Sequence, residues 1–499
     1  MRLGDVLERA NLSDSAILSD AKPAQQTSLA GLTADSRKVE PGFLFAALPG
    51  AKADGRTFIE EALARGAAAV LAQTGTPSEV VHGRAALITD PNPRRALALM
   101  AAAFYGRQPE TLVAVTGTSG KTSVAHFTRS LWQHAGQAAA SLGTLGLMPE
   151  RAVPDAPVSL TTPDPVLLMK TLASLAKAGF EHVVMEASSH GLDQFRLEGV
   201  KLQAACFTNL SHEHLDYHET LERYFAAKRR LFAELLPAGG TAVVNADDPH
   251  AADLAGLAKA RRQRLITFGT APGSDLALLQ RRPTEAGQAL SLELFGEPHE
   301  VDLPLYGDFQ AMNLLAALGL VVGGGTDLDA VLPALPRLGV VPGRIELAAE
   351  TPAGARVFVD YAHKPAALAA VLETLRPHTA GRLWVVFGCG GDRDRGKRPL
   401  MGEIACRLAD QVIVTDDNPR SENPAAIRAA IMAACPRALE MGDRRAAIAA
   451  AMMGLKQGDV LVVAGKGHES GQIVGTRVLP FDDREVARAV ALDLESSLA

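Results

Sequence analysis

Val115-Thr116-Gly117-Thr118-Ser119-Gly120-Lys121-Thr122-Ser123 has the residue types of a phosphate cradle. Glycines let main-chain N–H groups turn inward onto phosphate oxygens. A helix beginning here would add its positive N-terminal end. Lys121 can reach terminal phosphates as a point charge, and the Thr122 hydroxyl can ligate Mg²⁺. Only two residues separate Gly117 from Gly120-Lys121-Thr122, so the loop is shorter than the standard form. An apolar run precedes it and an amphipathic stretch follows. That context favours nucleotide phosphate over an ordinary glycine-rich turn with an exposed lysine.

Other groups are ambiguous by themselves. Gly388-Cys389-Gly390-Gly391-Asp392-Arg393-Asp394-Arg395-Gly396-Lys397-Arg398 suits an anionic substrate, with a solvated charge run the open alternative for Arg395, Lys397 and Arg398. Asp417-Asn418-Pro419-Arg420 alone reads as a surface turn, because Asn-Pro favours turns. Thr161-Thr162-Pro163 alone reads as a helix N-cap. A lysine such as Lys228, on a partly apolar helix, normally snorkels to water. His212, His214 and His218 lie close in sequence with no thiolate nearby, so zinc ranks low. His212 and His218 are expected to be exposed loop histidines.

These residues need a scaffold. Apolar runs at 112–115, 182–185, 204–207, 241–244, 356–359, 383–387, 411–414 and 460–463 predict strands, several buried on both faces of a parallel sheet. Helical patterns at 124–135, 166–178, 221–235, 365–375 and 443–453 lie between them. The alternation argues for α/β architecture with right-handed crossovers. The 499 residues suggest about three domains. Pro and Gly near 106–109 and 341–343 place the boundaries, giving domains at 1–108, 109–342 and 343–499.

Composition narrows the class. With 47% hydrophobic and 21% charged residues the chain is globular, and a formal charge of −6 does not suit a nucleic-acid binder. Four scattered cysteines and an N-terminus lacking an apolar core point to a reducing cytoplasm. The uncharged run 309–326 contains Gln310, Asn313 and three glycines, so a buried helix is expected rather than a membrane span. Small-molecule partners and a monomer are the expectation.

The loop resembles the ATP loop of the Mur ligases and folylpolyglutamate synthases. Similar blocks follow in order: Met185-Glu186-Ala187-Ser188-Ser189-His190-Gly191, Asn209-Leu210 through His214-Leu215-Asp216-Tyr217-His218, Ala226-Ala227-Lys228, Gly343-Arg344-Ile345-Glu346, Asp360-Tyr361-Ala362-His363-Lys364-Pro365 and Gly465-Lys466-Gly467-His468-Glu469. Leu32-Thr33-Ala34-Asp35-Ser36-Arg37, with Pro41-Gly42 and Ala53-Asp54-Gly55-Arg56, resembles a UDP-sugar domain. Asp417-Asn418-Pro419-Arg420-Ser421-Glu422 resembles a selector for meso-diaminopimelate.

The resemblance implies three α/β domains: a small UDP-sugar domain, a central phosphate-loop parallel-sheet domain and a Rossmann-like C-terminal domain. It implies an ATP- and Mg²⁺-dependent ligase of peptidoglycan precursor synthesis. That enzyme joins meso-diaminopimelate to UDP-N-acetylmuramoyl-L-alanyl-D-glutamate through an acyl phosphate. ATP would be met by Gly117, Thr118, Ser119, Gly120, Lys121, Thr122, Ser123, Asn313, Arg344, Asp360 and His363. The nucleotide sugar would be met by Ser36, Thr161, Thr162, Ser188, Gln194 and Arg196. Diaminopimelate would be met by Arg393, Asp417, Asn418, Pro419, Arg420, Gly465 and Glu469, with Glu469 facing an ammonium. Metal would fall to Thr122, Glu186 and His214, and Lys228 would be carbamylated by CO₂. Ser119 stands where the family usually has Asn, as in the ligase adding D-alanyl-D-alanine, and Gln310 replaces a commoner Asn. L-Lysine or L-ornithine as the amino acid, a folylpolyglutamate synthase and a non-catalytic nucleotide-binding scaffold stay open.

Overall fold

The structure is a computed structural model that describes every residue except 13–16, 19–23, 51–53, 151, 154–160, 212, 285 and 497–499. Ala53 and His212 therefore lie outside the described residues. The chain forms two compact units, the first made of residues 1–277, 294–296 and 313–333, and the second of the remainder.

The first unit holds two sheets. The smaller runs Ile17–Leu18, Ala86–Asp90, Ala69–Gln73, Phe43–Ala46, Gly31–Thr33, and only its first pair is antiparallel. Alternate side chains serve opposite faces, as strand geometry requires. Leu32, Leu44, Leu71 and Ile88 join the main core, while Phe45, Val70 and Leu87 pack on the other side.

The larger sheet runs Gly146–Met148, Ala139–Gly143, His182–Glu186, Thr111–Thr116, Ala204–Phe207, Thr241–Asn245, Arg264–Gly269 and the first residues of Leu276–Thr284. Its pairs are parallel except the Gly146–Met148 edge. Helices Lys121–His134 and Pro165–Lys177 follow the expected patterns. The expected helix at 221–235 is α-helical over Leu221–Arg230 and then widens into a π-helical turn, Leu231–Leu235. The uncharged run becomes the helix Asp308–Gly323, with Leu314, Leu318 and Val321 fully buried. Among the described residues no helix is long and apolar enough to cross a membrane.

The second unit carries the strand Gly287–Leu294 up to residue 293, the strand Glu297–Leu303 and a six-stranded sheet. That sheet runs Glu346–Glu350, Arg356–Asp360, Val460–Ala464, Leu383–Phe387, Gln411–Val414, Leu439–Glu440. Only the Glu346–Glu350 edge is antiparallel. Phe358, Val385, Phe387 and Val462 face helices Pro365–Leu375, Lys397–Leu408 and Pro424–Met432. Val357, Val386, Ile413 and Val463 face helices Arg444–Met453 and Asp483–Ser496. Burial on both faces explains the uninterrupted apolar runs.

Candidate functional site

Register assembles the first unit's chemistry. Val115 pairs with Glu186 and Thr116 with Phe207. The carboxyl ends of three adjacent parallel strands therefore place the phosphate loop, Glu186 and Thr208-Asn209 side by side. In open α/β sheets ligands bind at this edge. The neighbouring segment stitches the loop in place: Thr118 N–H donates to the Asn209 carbonyl (2.9 Å), Ser119 N–H to Asn209 Oδ1 (3.0 Å), and the Thr208 hydroxyl to the Ser119 carbonyl (2.7 Å). Gly117 and Gly120 have φ of 150° and 89°. A Cβ at Gly117 would lie 1.9 Å from Thr208 Oγ1, and one at Gly120 would lie 2.5 Å from Asn313 Oδ1. The Asn313 carboxamide thus lies against the loop. Lys121 Nζ donates to the Gly117 and Thr118 carbonyls, both at 2.8 Å.

Glu186 is buried beside the start of the loop helix. Its Oε1 accepts from Thr144 N–H (2.8 Å), its Oε2 from the Thr144 hydroxyl (3.1 Å), and the Thr122 hydroxyl also donates to it. Burial raises its pKa, opposed first by the charge of Lys121. A Cβ on Gly143 would lie 2.1 Å from Glu186 Oε1, so the carboxylate fits only because residue 143 is glycine. Oxygen donors of this kind suit Mg²⁺.

Lys228 does not snorkel. It is 1% exposed, its Nζ donates to the Gly117 carbonyl (2.7 Å), and the amine lies 4.3 Å from the centre of the Tyr224 ring. Burial and the charge of Lys121 push its pKa down to about 6. His218 is also buried, at 5% exposure, contrary to the exposed loop histidine expected. Its ring packs against His190, Tyr217 and Tyr224, a cluster that also takes in His214. The ring of His190, 28 residues earlier, together with Tyr217 and Tyr224, covers it. Among the described residues no group of three His, Cys, Asp or Glu side chains is arranged to hold a metal.

Thr161 and Thr162 are not the N-cap expected of them in isolation. Asp164 caps the helix Pro165–Lys177 by accepting from Val166 and Leu167 N–H. Instead the Thr161 hydroxyl meets that of Thr144 (3.1 Å), and the Thr162 hydroxyl donates to the Glu186 carbonyl (2.9 Å) and meets Ser188 Oγ (3.0 Å). Arg196 donates to the Thr162 carbonyl (2.6 Å) and to Gln194 Oε1 (2.7 Å). Thr161, Thr162, Ser188, Gln194 and Arg196 are therefore linked to Glu186 through one hydrogen-bond network. Ser36 lies in the smaller sheet's region, its hydroxyl donating to Glu61 Oε2 (2.8 Å).

The second unit repeats the logic. Asp360, Ala464, Phe387 and Val414 end neighbouring parallel strands. Asp360 is buried, and its carboxylate accepts from Ile345 and Ala362 N–H, both at 2.7 Å. Burial raises its pKa to about 6. It thereby holds Arg344, whose guanidinium stacks 4.8 Å from the Tyr361 ring centre. His363 Nδ1 contacts the Tyr361 carbonyl (2.8 Å), and burial lowers its pKa.

The Asp417-Asn418-Pro419-Arg420 segment is not a free surface turn, since Asp417, Asn418 and Pro419 are buried. Arg420 adopts φ 51° and donates through one guanidinium nitrogen to the Gly391 carbonyl (2.9 Å). Among the described residues no carboxylate forms an ion pair with it. The hairpin Gly471–Val474 and Arg477–Pro480 grips this segment. Gln472 donates to the Asp417 carbonyl (2.7 Å), Ile473 N–H to Asn418 Oδ1 (2.9 Å), Arg420 N–H to the Ile473 carbonyl (3.0 Å), and Gly475 N–H to the Arg420 carbonyl (2.8 Å). Gly465 lies so close that a Cβ there would sit 2.5 Å from Asp417 Oδ2. Arg393 is exposed, as is Arg395, but Arg398 is buried in an ion pair with Glu422 (2.9 Å), so it does not belong to a solvated charge run. Lys397 donates to the His363 carbonyl (2.8 Å).

Sequence reasoning missed Thr144, Asn209, Lys466 and the hairpin. Asn209 and Lys466 stand inside quoted motifs, while Thr144 and the hairpin had no local signal.

Three domain descriptions match the chain: the Mur ligase family catalytic domain over residues 28–105, the Mur ligase middle domain over 115–321, and the Mur ligase glutamate ligase domain over 343–467. A relative from Rhizobium meliloti named UDP-N-acetylmuramoyl-L-alanyl-D-glutamate–2,6-diaminopimelate ligase is 55% identical, covering 93% of this chain and 94% of its own. One of the same name from Caulobacter vibrioides is 53% identical, covering 97% of each chain. A solved structure of an enzyme of that name superposes with a TM-score of 0.73 at 35% identity over the whole of both chains. MurF ligase from Thermotoga maritima, in complex with ADP, shares the fold at 22% identity, with a TM-score of 0.60 over 95% of this chain and 99% of that one. The chain belongs to the Mur ligase family.

Proposed function

We propose that this chain is the ATP-dependent ligase that joins meso-2,6-diaminopimelate to UDP-N-acetylmuramoyl-L-alanyl-D-glutamate in peptidoglycan precursor synthesis. The observation that carries the choice of amino acid is Arg420. It is held by the hairpin in the left-handed region, with no carboxylate partner among the described residues. Diaminopimelate differs from lysine by one carboxylate, and a fixed guanidinium reads a carboxylate through paired donors. Lysine would leave that charge unmatched. The names of the relatives agree with this reading.

A carboxylate is a poor electrophile, so ATP first transfers its γ-phosphoryl group to a glutamate carboxylate of the dipeptide, releasing ADP. The amine of diaminopimelate then attacks the acyl phosphate. The C–N bond forms, the amine gives up a proton, and inorganic phosphate leaves. Phosphoryl transfer mainly demands positioning and charge neutralisation. Loop amides 117–123 and Lys121 cradle the phosphates, and Asn313 braces the loop. Arg344 and His363 are assigned to nucleotide, with Asp360 anchoring the segments that carry them. Thr122 and Glu186 would hold Mg²⁺, and His214 would contribute to a second site. Bound there, Mg²⁺ neutralises and clamps phosphate oxygens. The buried oxygen set around Glu186 fits that ion. Lys228, with its amine predominantly neutral at physiological pH, is assigned as the carbamylation site. Ser36, Thr161, Thr162, Ser188, Gln194 and Arg196 are assigned to the nucleotide sugar. Arg393, Asp417, Asn418, Pro419, Arg420, Gly465 and Glu469 are assigned to the amino acid. The domains at 1–108, 109–342 and 343–499 divide these tasks. The sparse, unbridged cysteines support a reducing cytoplasm.

The test is phosphate release from ATP, Mg²⁺ and the UDP-muramoyl dipeptide with diaminopimelate, L-lysine, L-ornithine or D-alanyl-D-alanine in turn. Release that depends on diaminopimelate is expected. Release that depends on another amine, or none, refutes the reading.

A further inference from the structure

Lys466 is fully buried and has no assigned task. Its Nζ donates to Asn418 Oδ1 (3.1 Å) and to Glu469 Oε2 (3.1 Å). Asn418 Oδ1 also accepts from Ile473 N–H (2.9 Å), so two donors fix which end of the carboxamide is oxygen. Its nitrogen is thereby turned to Glu469 Oε2, to which it donates at 2.9 Å. Both bonds to Glu469 fall on one oxygen. Among the described residues none reaches Oε1, and the side chain keeps 35% of its exposure.

Asp417, whose pKa burial raises, lies among the charges of Arg444, Lys466, Glu469 and Asp483. Arg444 and Asp483 pair with each other at 2.7 Å, both side chains 0% exposed.

We propose that Lys466 is a positioning residue for the amino-acid substrate: it clamps one oxygen of Glu469 and the carboxamide of Asn418, so that the other Glu469 oxygen meets a substrate ammonium. The proposal rests on the reading of this pocket as the diaminopimelate site. Lys466 touches no reacting atom. Losing it should free both side chains to rotate, which weakens amino-acid binding and leaves the ATP step intact.

The experiment compares steady-state kinetics of the full-length wild type, Lys466→Met and Lys466→Gln, varying diaminopimelate and ATP separately. The methionine variant should raise the diaminopimelate KM roughly tenfold, the loss expected for one charge-assisted hydrogen bond. Its kcat and ATP KM should stay within about twofold, since the hydrogen bonds of Lys466 go to Asn418 and Glu469. The glutamine variant, which keeps a donor, should show a smaller rise. In a Glu469→Gln background Lys466→Met should raise that KM by less than in the wild type, because coupled residues are not additive. An unchanged diaminopimelate KM, equal losses in all three constants, or the same KM rise in the Glu469→Gln background overturns the proposal. Failure of both Lys466 variants to fold does so too, marking Lys466 as structural. An active wild type with a silent variant removes this proposal alone; a wild type inactive with diaminopimelate removes the functional reading beneath it.

Discussion

Replacing Lys228 with methionine keeps a long apolar side chain in the same buried slot and removes the amine. An ordinary lysine has a pKa of 10.5, and here burial and Lys121 bring it to about 6. At about pH 7.5 nearly all of the Lys228 amine is neutral, against about one part in a thousand for an exposed lysine, a gain of roughly 1000-fold in the form that attacks CO₂. The reaction, neutral amine plus CO₂ giving carbamate and a proton, turns a buried uncharged amine into an anionic oxygen donor beside Gly117. Wild-type enzyme assayed by phosphate release should lose activity when CO₂ is stripped from the buffer and regain it with bicarbonate. Lys228→Met should be slower by about 100-fold, as for removal of one preorganised electrostatic group, and indifferent to bicarbonate. With ¹³C-bicarbonate a carbamate resonance should appear in the wild type alone. Stability gives a separate check. Between pH values of about 6 and 10.5 the unfolded chain holds the Lys228 proton and the folded chain does not. Unmodified Lys228 therefore imposes no penalty above the upper value, and stability falls as pH drops toward the lower one. Lys228→Met should unfold less readily than CO₂-free wild type near pH 6. A fast, bicarbonate-indifferent Lys228→Met and a wild type with no labelled carbamate would refute the reasoning.

Arg420→Ala or Arg420→Lys should raise the diaminopimelate KM by at least about tenfold while ATP binding holds, from the loss of charge-assisted hydrogen bonds; unaltered kinetics would remove the selector role. Gly143→Ala sets a methyl 2.1 Å from Glu186 Oε1, so the carboxylate must leave Thr144. The overpacking costs roughly 1–3 kcal/mol, and a Mg²⁺ titration of activity should shift to higher concentration. Asp360→Asn turns an NH₂ toward one of two backbone N–H groups now bound at 2.7 Å. Denaturant titration should show a loss of about 1–3 kcal/mol, with a raised ATP KM. The Asp360 carboxyl titrates near 6 when folded against an ordinary 3.8, so its contribution to stability declines as pH rises through that window, and Asp360→Asn abolishes that part of the dependence.

The strand runs were legible because burial on both faces leaves continuous apolar segments, as at Leu383–Phe387 and Val460–Ala464. The phosphate loop was legible because its glycines and Lys121-Thr122 are contiguous. The antiparallel edges, Gly146–Met148 and Glu346–Glu350, are short or half exposed and carry no such run. Thr144 was hidden because its partner Glu186 is 42 residues away and only strand pairing joins them. Lys466 was read past because a lysine between two glycines suggests solvent, whereas Asn418, 48 residues earlier, draws it inward. His218 misled for the same reason.

The hairpin at 471–480 has a consequence for exchanging substrate preference between relatives. Four hydrogen bonds tie it to Asp417, Asn418 and Arg420, including both main-chain bonds that set the arginine's left-handed turn. Transplanting the four-residue tetrad into another ligase without this partner ribbon would deliver an arginine with no fixed aim. The two pieces travel as one cassette, so retargeting such an enzyme is a matter of grafting both together.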